Sequence, residues 1–282
     1  MPFPNFLIIG TQEAETRYLS RLIGQHPEIF TLSQETHFFD KSANFEKGLA
    51  WYKSHFSKVT SETAIGECTA DYCCVNGRGD EGRLPNVHQN IYEAFPDMKL
   101  IFVLRNPVAR AISAVNRITN EGKLSPLLDI NELLIGPKNN LLKRYGVIEN
   151  GYYYQQIDAF LRFFKRNQIL FLIFEEEIEI NISNGLEKIF EFMGVDKHFK
   201  IGPLSHESGP LQRTKAGMIL SYYFPQAKKL ALKADKLFKK PAKEKWPNRY
   251  TLATLFKMYQ PENEKLFAFL DRTVPAWFTL DL

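Results

Sequence analysis

Three short runs along the chain, residues 5–10, 99–104 and 169–174, are apolar without alternation. A strand covered on one face alternates apolar and polar positions. A strand covered on both faces reads as a continuous run of Ile, Leu, Val and Phe. Each run therefore predicts a buried strand, and residues 64–67 predict a shorter one. Between the runs the apolar spacing lengthens to that of a helix. Tyr18, Leu19, Leu22 and Ile23 share one face over 16–26, and Ile157, Phe160, Leu161 and Phe164 share one over 151–165. Asn106 before Pro107 makes an N-cap and first-turn pair, which predicts a helix over 107–120. Asn184 to Met193 predicts another, stopped by Gly194.

Apolar strands alternating with helices predict an α/β fold with a central, mostly parallel sheet flanked by helices on both faces and right-handed crossovers. No strong linker divides the chain, so residues 1–282 read as one domain with a helical, basic C-terminal portion from about residue 218. Gly202, Pro203, Gly209, Pro210 and Gly217 mark 201–217 as the weakest stretch, either a loop over the site or a boundary. Ligands of open parallel sheets bind beyond the carboxyl ends of the strands. Attention therefore falls on the loops at 10–17 and 105–113 and on the segment after Gly66.

With 44% hydrophobic and 24% charged residues over 282 positions, the chain has the composition of a globular protein, not of a disordered or fibrous one. No apolar run approaches the roughly 18 residues of a membrane span. The N-terminus lacks the basic stretch of a secretory signal. Cys68, Cys73 and Cys74 fit neither a disulfide scaffold nor zinc spacing, so a reducing cytoplasm is expected. The net charge of +4 conceals an asymmetry: residues 226–249 hold nine Lys or Arg and two acids, which leaves the rest of the chain at −3. Within that segment Ala227, Leu230, Ala231, Ala234, Leu237 and Phe238 would face one side of a helix, and Lys228, Lys229, Lys233, Lys236, Lys239 and Lys240 the other. A solvated helix packed on the domain, a site for an anionic acceptor and a peripheral membrane contact all fit that pattern. No nucleic-acid-binding motif accompanies it.

Loop 10–17 joins a buried strand to a helix N-terminus, where free N–H groups and the helix dipole favour an anion. It lacks the Gly-Lys of a Walker A loop and, taken alone, reads more readily as an ordinary turn with acids in the first helical turn. At the second loop Arg105, Arg110 and Ser113 offer a guanidinium fork and a hydroxyl suited to phosphate. Singly, each also reads as a strand-end ion pair or a packed small residue. Glu35 and His37 beside Phe38 and Phe39 make either a partly desolvated acid–base pair or a polar loop anchored by two aromatics.

Taken together, these residues resemble the sulfotransferases that use 3′-phosphoadenosine 5′-phosphosulfate (PAPS), in particular the heparan sulfate sulfotransferases and their bacterial relatives. The resemblance is carried by Phe6 to Gly10 with Gln12, Thr16 and Leu19, by Gln25 to Ile29, by Glu35 to Asp40, and by Lys99 to Ser113. It continues through Gly151 to Tyr153, Ile169 to Glu175, Phe192 to Gly194, Tyr259 to Leu266, and Trp277. It implies a P-loop NTPase-like sulfotransferase fold and in-line transfer of a sulfuryl group from PAPS to a hydroxyl or amine. The acceptor would be a small molecule or glycan, and no metal takes part. By the same resemblance Arg105 and Ser113 bind the 3′-phosphate, and Gly10, Gln12 and Thr16 belong to the loop around the 5′-phosphosulfate. Glu35 is the base, His37 its active-site neighbour, and Lys243, Lys245 and Arg249 are candidates for the basic loop that helps hold the nucleotide.

Loop one departs from the family pattern, which is close to Gln-Lys-Gly-Gly-Thr-Thr. Glu13 stands at the Lys, Ala14 and Glu15 at the glycines, Arg17 at the second Thr, and Gln34 where many members carry another Lys. The site is thereby about three charges more negative than the pattern, and like charges about 4 Å apart repel by roughly 4 kcal/mol at an effective dielectric of about 20. Three outcomes stay open: Arg17 replaces the missing cation with Glu13 and Glu15 turned to solvent; the acids recognise a cationic ligand group; or the chain binds a ligand without sulfuryl transfer.

Overall fold

The computed structural model describes residues 3–75, 82–202, 204, 213–227, 231–232, 235 and 241–278. Five strands, β1 (Phe6–Gly10), β2 (Ile29–Thr31), β3 (Ala64–Cys68), β4 (Lys99–Leu104) and β5 (Ile169–Ile173), form one sheet in the order β2-β3-β1-β4-β5. Every pairing is parallel. Among the described residues the helices of eight residues or more are α1 (Thr16–Ile23), α2 (Val87–Ala94), α3 (Pro107–Asn120), α4 (Tyr153–Leu161), α5 (Ile182–Met193), α6 (Lys215–Tyr223) and α7 (Arg249–Leu270).

The continuous apolar runs are explained by two buried faces. Leu7, Ile9, Leu100, Phe102, Leu104 and Phe171 point to one side and pack with Ile157, Phe160 and Phe164. Phe6, Ile8, Ile101, Val103 and Leu172 point to the other and pack with Leu19, Leu22 and Ile23 of α1 and Ile189 and Phe190 of α5. The alternation has the strand period of two, hidden in the sequence because neither face is polar. Each such side chain contributes about 1.5–3 kcal/mol on leaving water. A third apolar cluster joins α3 to α7 through Val108, Ala111, Ile112 and Val115 against Leu252, Leu255 and Tyr259.

The element ends have local causes. The Asn106 side chain accepts from the backbone N–H groups of Val108 (3.0 Å) and Ala109, and Pro107 follows, so α3 starts where the sequence predicts; it runs to Asn120, the expected end. Gly194, at φ 81°, closes α5 in the left-handed conformation that glycine adopts most easily. α5 begins at Ile182, two residues before the expected start, because Asn181 caps it by accepting from the N–H of Asn184. α4 spans only 153–161; Phe164 keeps its core place beyond the helix end. The apolar run at 169–174 leaves the sheet at Phe174, where a wide helical turn over Phe174–Ile180 begins.

The basic C-terminal segment is only partly described. Lys228, Lys229, Leu230, Lys233, Ala234, Lys236, Leu237, Phe238, Lys239 and Lys240 lie outside the described residues. Residues 241–248 are irregular, and the chain becomes helical again at Arg249.

Candidate active site

The carboxyl ends of β1 and β4 bring loops 10–15 and 105–107 side by side. The base of loop one is pinned: the backbone N–H of Thr11 donates to the Val103 carbonyl at 2.9 Å, and that of Cys73 to the Ile9 carbonyl at 2.7 Å. Gly10, at φ 152°, turns the chain where a Cβ would stand 2.5 Å from Cys73 Sγ and 3.0 Å from the Ala70 carbonyl oxygen. Glu13 and Glu15 also adopt positive φ, 68° and 54°, a conformation that costs a side-chain-bearing residue about 1–3 kcal/mol. Glu15 occupies one of the positions where the resemblance expects glycine, and its φ supplies the physical reason for that expectation.

Glu13 turns inward. Its side chain is 9% exposed and ion-pairs with Nε of Arg117, while Ser113 Oγ donates to its other carboxylate oxygen at 2.7 Å. Its backbone carbonyl accepts from the Arg105 guanidinium. The Arg105 guanidinium carbon stands over the Phe174 ring, 4.7 Å from its centre. Its own carbonyl accepts from Tyr153 Oη at 2.6 Å. The next residue is anchored by Glu175, which accepts from the Asn106 N–H at 2.7 Å and from Trp277 Nε1 at 2.9 Å. Arg110 does not join this group: it is fully buried and donates to the Val147 carbonyl. Of the distal basic candidates, Lys245 docks on α3 through Asn116, but its ammonium donates to the Leu128 carbonyl. Lys243 and Arg249 are exposed.

The second half of the site is built on 35–40. Arg17 Nη2 donates to Glu35 Oε2 at 3.0 Å, and His37 Nε2 lies 3.3 Å from the same oxygen. His37 Nδ1 stands 3.1 Å from Asp40, and Arg83 bridges the carboxylates of Asp40 and Asp71. Asp71 in turn accepts from the Gln12 side-chain amide of loop one. Charges of alternating sign thus run from Arg17 through Glu35, His37, Asp40 and Arg83 to Asp71, and link the two halves. Burial alone would lower the His37 pKa, but the bonds to Asp40 and Glu35 outweigh it and raise it to about 9, so the ring is charged at neutral pH. Burial alone would raise the Glu35 pKa, but His37 and Arg17 hold it below the ordinary carboxylate value, so it is ionised. His37, Asp40 and Asp71 bring donor atoms within 4.8 Å of one another, a grouping that suits a cation. Arg83 already supplies that charge.

Beneath this loop lies Glu67, fully buried on β3. It accepts from Thr36 Oγ1 at 2.6 Å, Thr69 Oγ1 at 2.7 Å, Tyr72 Oη at 2.9 Å and Tyr52 Oη at 3.2 Å. Burial pushes its pKa up, and the hydroxyl donors hold the rise back. Next to it Cys68, whose thiol burial also raises, takes a side-chain bond with Thr16.

Of the sequence-selected residues, Gly10, Gln12, Thr16, Arg17, Glu35, His37, Arg105 and Ser113 lie at this end of the sheet, and Arg110 does not join them. Sequence reading missed Glu67, Asp71, Arg83 and Arg117 as partners. It also left open that Glu13 turns to solvent, whereas the side chain is enclosed.

The comparisons agree with this architecture. The sulfotransferase domain family matches residues 3–260. Human heparan sulfate glucosamine 3-O-sulfotransferase 6 is 30% identical over 206 residues, covering 70% of this chain and 55% of its own length. The mouse 3-O-sulfotransferase 3B1 is 28% identical over 201 residues, covering 70% and 48%. The chain thus spans about half the length of these curated relatives. The crystal structure of a sulfotransferase from Alicyclobacillus acidocaldarius superposes with a TM-score of 0.70 at 22% identity, covering 99% of this chain and all of that one, a likeness of fold. By its match over 3–260 and by its relatives, the chain belongs to the sulfotransferase domain family.

Proposed function

We propose that this chain transfers a sulfuryl group from PAPS to a hydroxyl or amine of an acceptor, with Glu35 as the base. The observation that carries the reading is the meeting of the Arg105–Ser113 pair with the Glu35–His37–Arg17 cluster at one end of the sheet. In the step, the acceptor oxygen or nitrogen bonds to sulfur as the bond from sulfur to the 5′-phosphate oxygen breaks. The acceptor proton passes to the ionised Glu35, and 3′-phosphoadenosine 5′-phosphate leaves. Charged His37 and Arg17 stand beside the sulfuryl path and offset negative charge that develops there.

The donor set fits a phosphate. A hydroxyl and a guanidinium already converge on one carboxylate, that of Glu13, which stands in for an anionic ligand group. The relatives named for heparan sulfate glucosamine favour a glycan hydroxyl as the acceptor. Three buried cysteines outside any disulfide, Cys68, Cys73 and Cys74, suit a reducing compartment, the cytoplasm in this reading. Among the described residues no helix is long and apolar enough to cross a membrane.

The test is transfer of labelled sulfate from PAPS to heparan sulfate or a small hydroxyl acceptor. The reading expects transfer that Glu35→Gln abolishes; equal incorporation by that variant overturns the role of the base. Glu13 favours a second reading, a nucleotide-binding protein without transfer. That reading expects nucleotide binding with no labelled product, and transfer regained on Glu13→Lys.

A further inference from the structure

We propose that Glu13 is a built-in occupant of the phosphate subsite: its carboxylate takes on Ser113 and Arg117 the place of a ligand phosphate, which binds by displacing it. The inference rests on reading Arg105 and Ser113 as nucleotide-phosphate ligands. Three contacts carry it. Ser113 Oγ donates to one carboxylate oxygen at 2.7 Å. Arg117 Nε ion-pairs with the other. Arg105 holds the carbonyl of the same residue. The 9% exposure of the carboxylate shows a seated group, not a surface charge. Glu13 is held there by its position in a loop pinned at Thr11, with the left-handed φ of 68° aiming it at α3.

The chemistry sets a preference. A carboxylate carries one charge and two acceptor oxygens, whereas a phosphate monoester carries nearly two charges and three. A phosphate therefore competes successfully on the same donors, but against a tethered rival at high local concentration, so its apparent affinity is reduced. A ligand without that phosphate leaves Glu13 in place and meets no such competition. The residue thus acts as a selective brake on ligands bearing a 3′-phosphate.

The experiment is calorimetric titration of wild type, Glu13→Gln and Glu13→Ala with 3′-phosphoadenosine 5′-phosphate and with adenosine 5′-monophosphate. Circular dichroism melting confirms that each variant folds. A parallel arm reads the rise in melting temperature with inorganic sulfate. The expected result is at least a tenfold tighter bisphosphate in both variants, less than a threefold change for the monophosphate, and a larger sulfate-induced rise in Glu13→Ala than in wild type. Equal gains for both nucleotides mean that Glu13 acts only as a nearby repulsive charge, and overturn the proposal. No gain for either does the same while leaving the sulfotransferase reading standing, provided wild type binds the bisphosphate. If no variant binds either nucleotide, the sulfotransferase reading fails, and the sulfate arm decides the inference: a larger rise in Glu13→Ala upholds it, an equal rise overturns it.

Discussion

His37 Nε2 lies 3.3 Å from Glu35 Oε2, so the proposed base is held by a cation that its own loop supplies. The turn that presents the ring has His37 at φ 50°, with Asp40 fixing Nδ1 from behind. The same contact has a pH signature. The His37 pKa rises from 6.5 to about 9 on folding, so its contribution to stability is complete below 6.5 and is lost as the pH climbs through about 9. Glu35 behaves oppositely: its contribution is present above 4.5 and is lost as the pH falls below that. The melting-temperature gap between wild type and His37→Ala is therefore widest between about pH 4.5 and 6.5 and shrinks as the pH climbs through about 9. A gap that grows above pH 9 contradicts the assignment.

Glu67 is the acceptor on which the 35–40 loop rests. Replacement by Ala leaves the hydroxyls of Thr36, Thr69, Tyr72 and Tyr52 without their shared partner in a dry interior. The expected loss is about 3 kcal/mol, read by denaturant unfolding, with a smaller loss for Glu67→Gln, which keeps one acceptor oxygen. A variant as stable as wild type removes the loop's anchor from the account.

Gly10 tests the loop backbone. An added Cβ meets Cys73 Sγ at 2.5 Å and the Ala70 carbonyl at 3.0 Å, in a conformation side chains rarely adopt. Gly10→Ala should lose about 2 kcal/mol of stability, and nucleotide affinity with it. Trimming the obstacle by Cys73→Ala in the same chain should recover part of the packing loss, but not the backbone strain. Additive losses in the double variant exclude the clash as the cause.

The fold was largely legible because its strongest determinants are local. The buried strands announce themselves as apolar runs, and Asn106 with Pro107 marks the start of α3. β2 was not legible: its three residues, Ile29, Phe30 and Thr31, are too few to show a period, and pairing with β3 makes the strand. At the site, Glu35 and His37 were found because they are neighbours in sequence. Asp71, Arg83 and Arg117 were not, because their partners lie far along the chain. The bond from Ser113 to Glu13 spans 100 residues, and an acid in loop one gives no sign of which way it points.

The account depends most on Arg105 and Ser113 gripping a nucleotide phosphate. Calorimetric titration with 3′-phosphoadenosine 5′-phosphate tests that directly on wild type and Arg105→Ala. Saturable binding in wild type, weakened at least a hundredfold in the variant, is the predicted result. Binding of equal strength in both, or none in either at millimolar nucleotide, contradicts it.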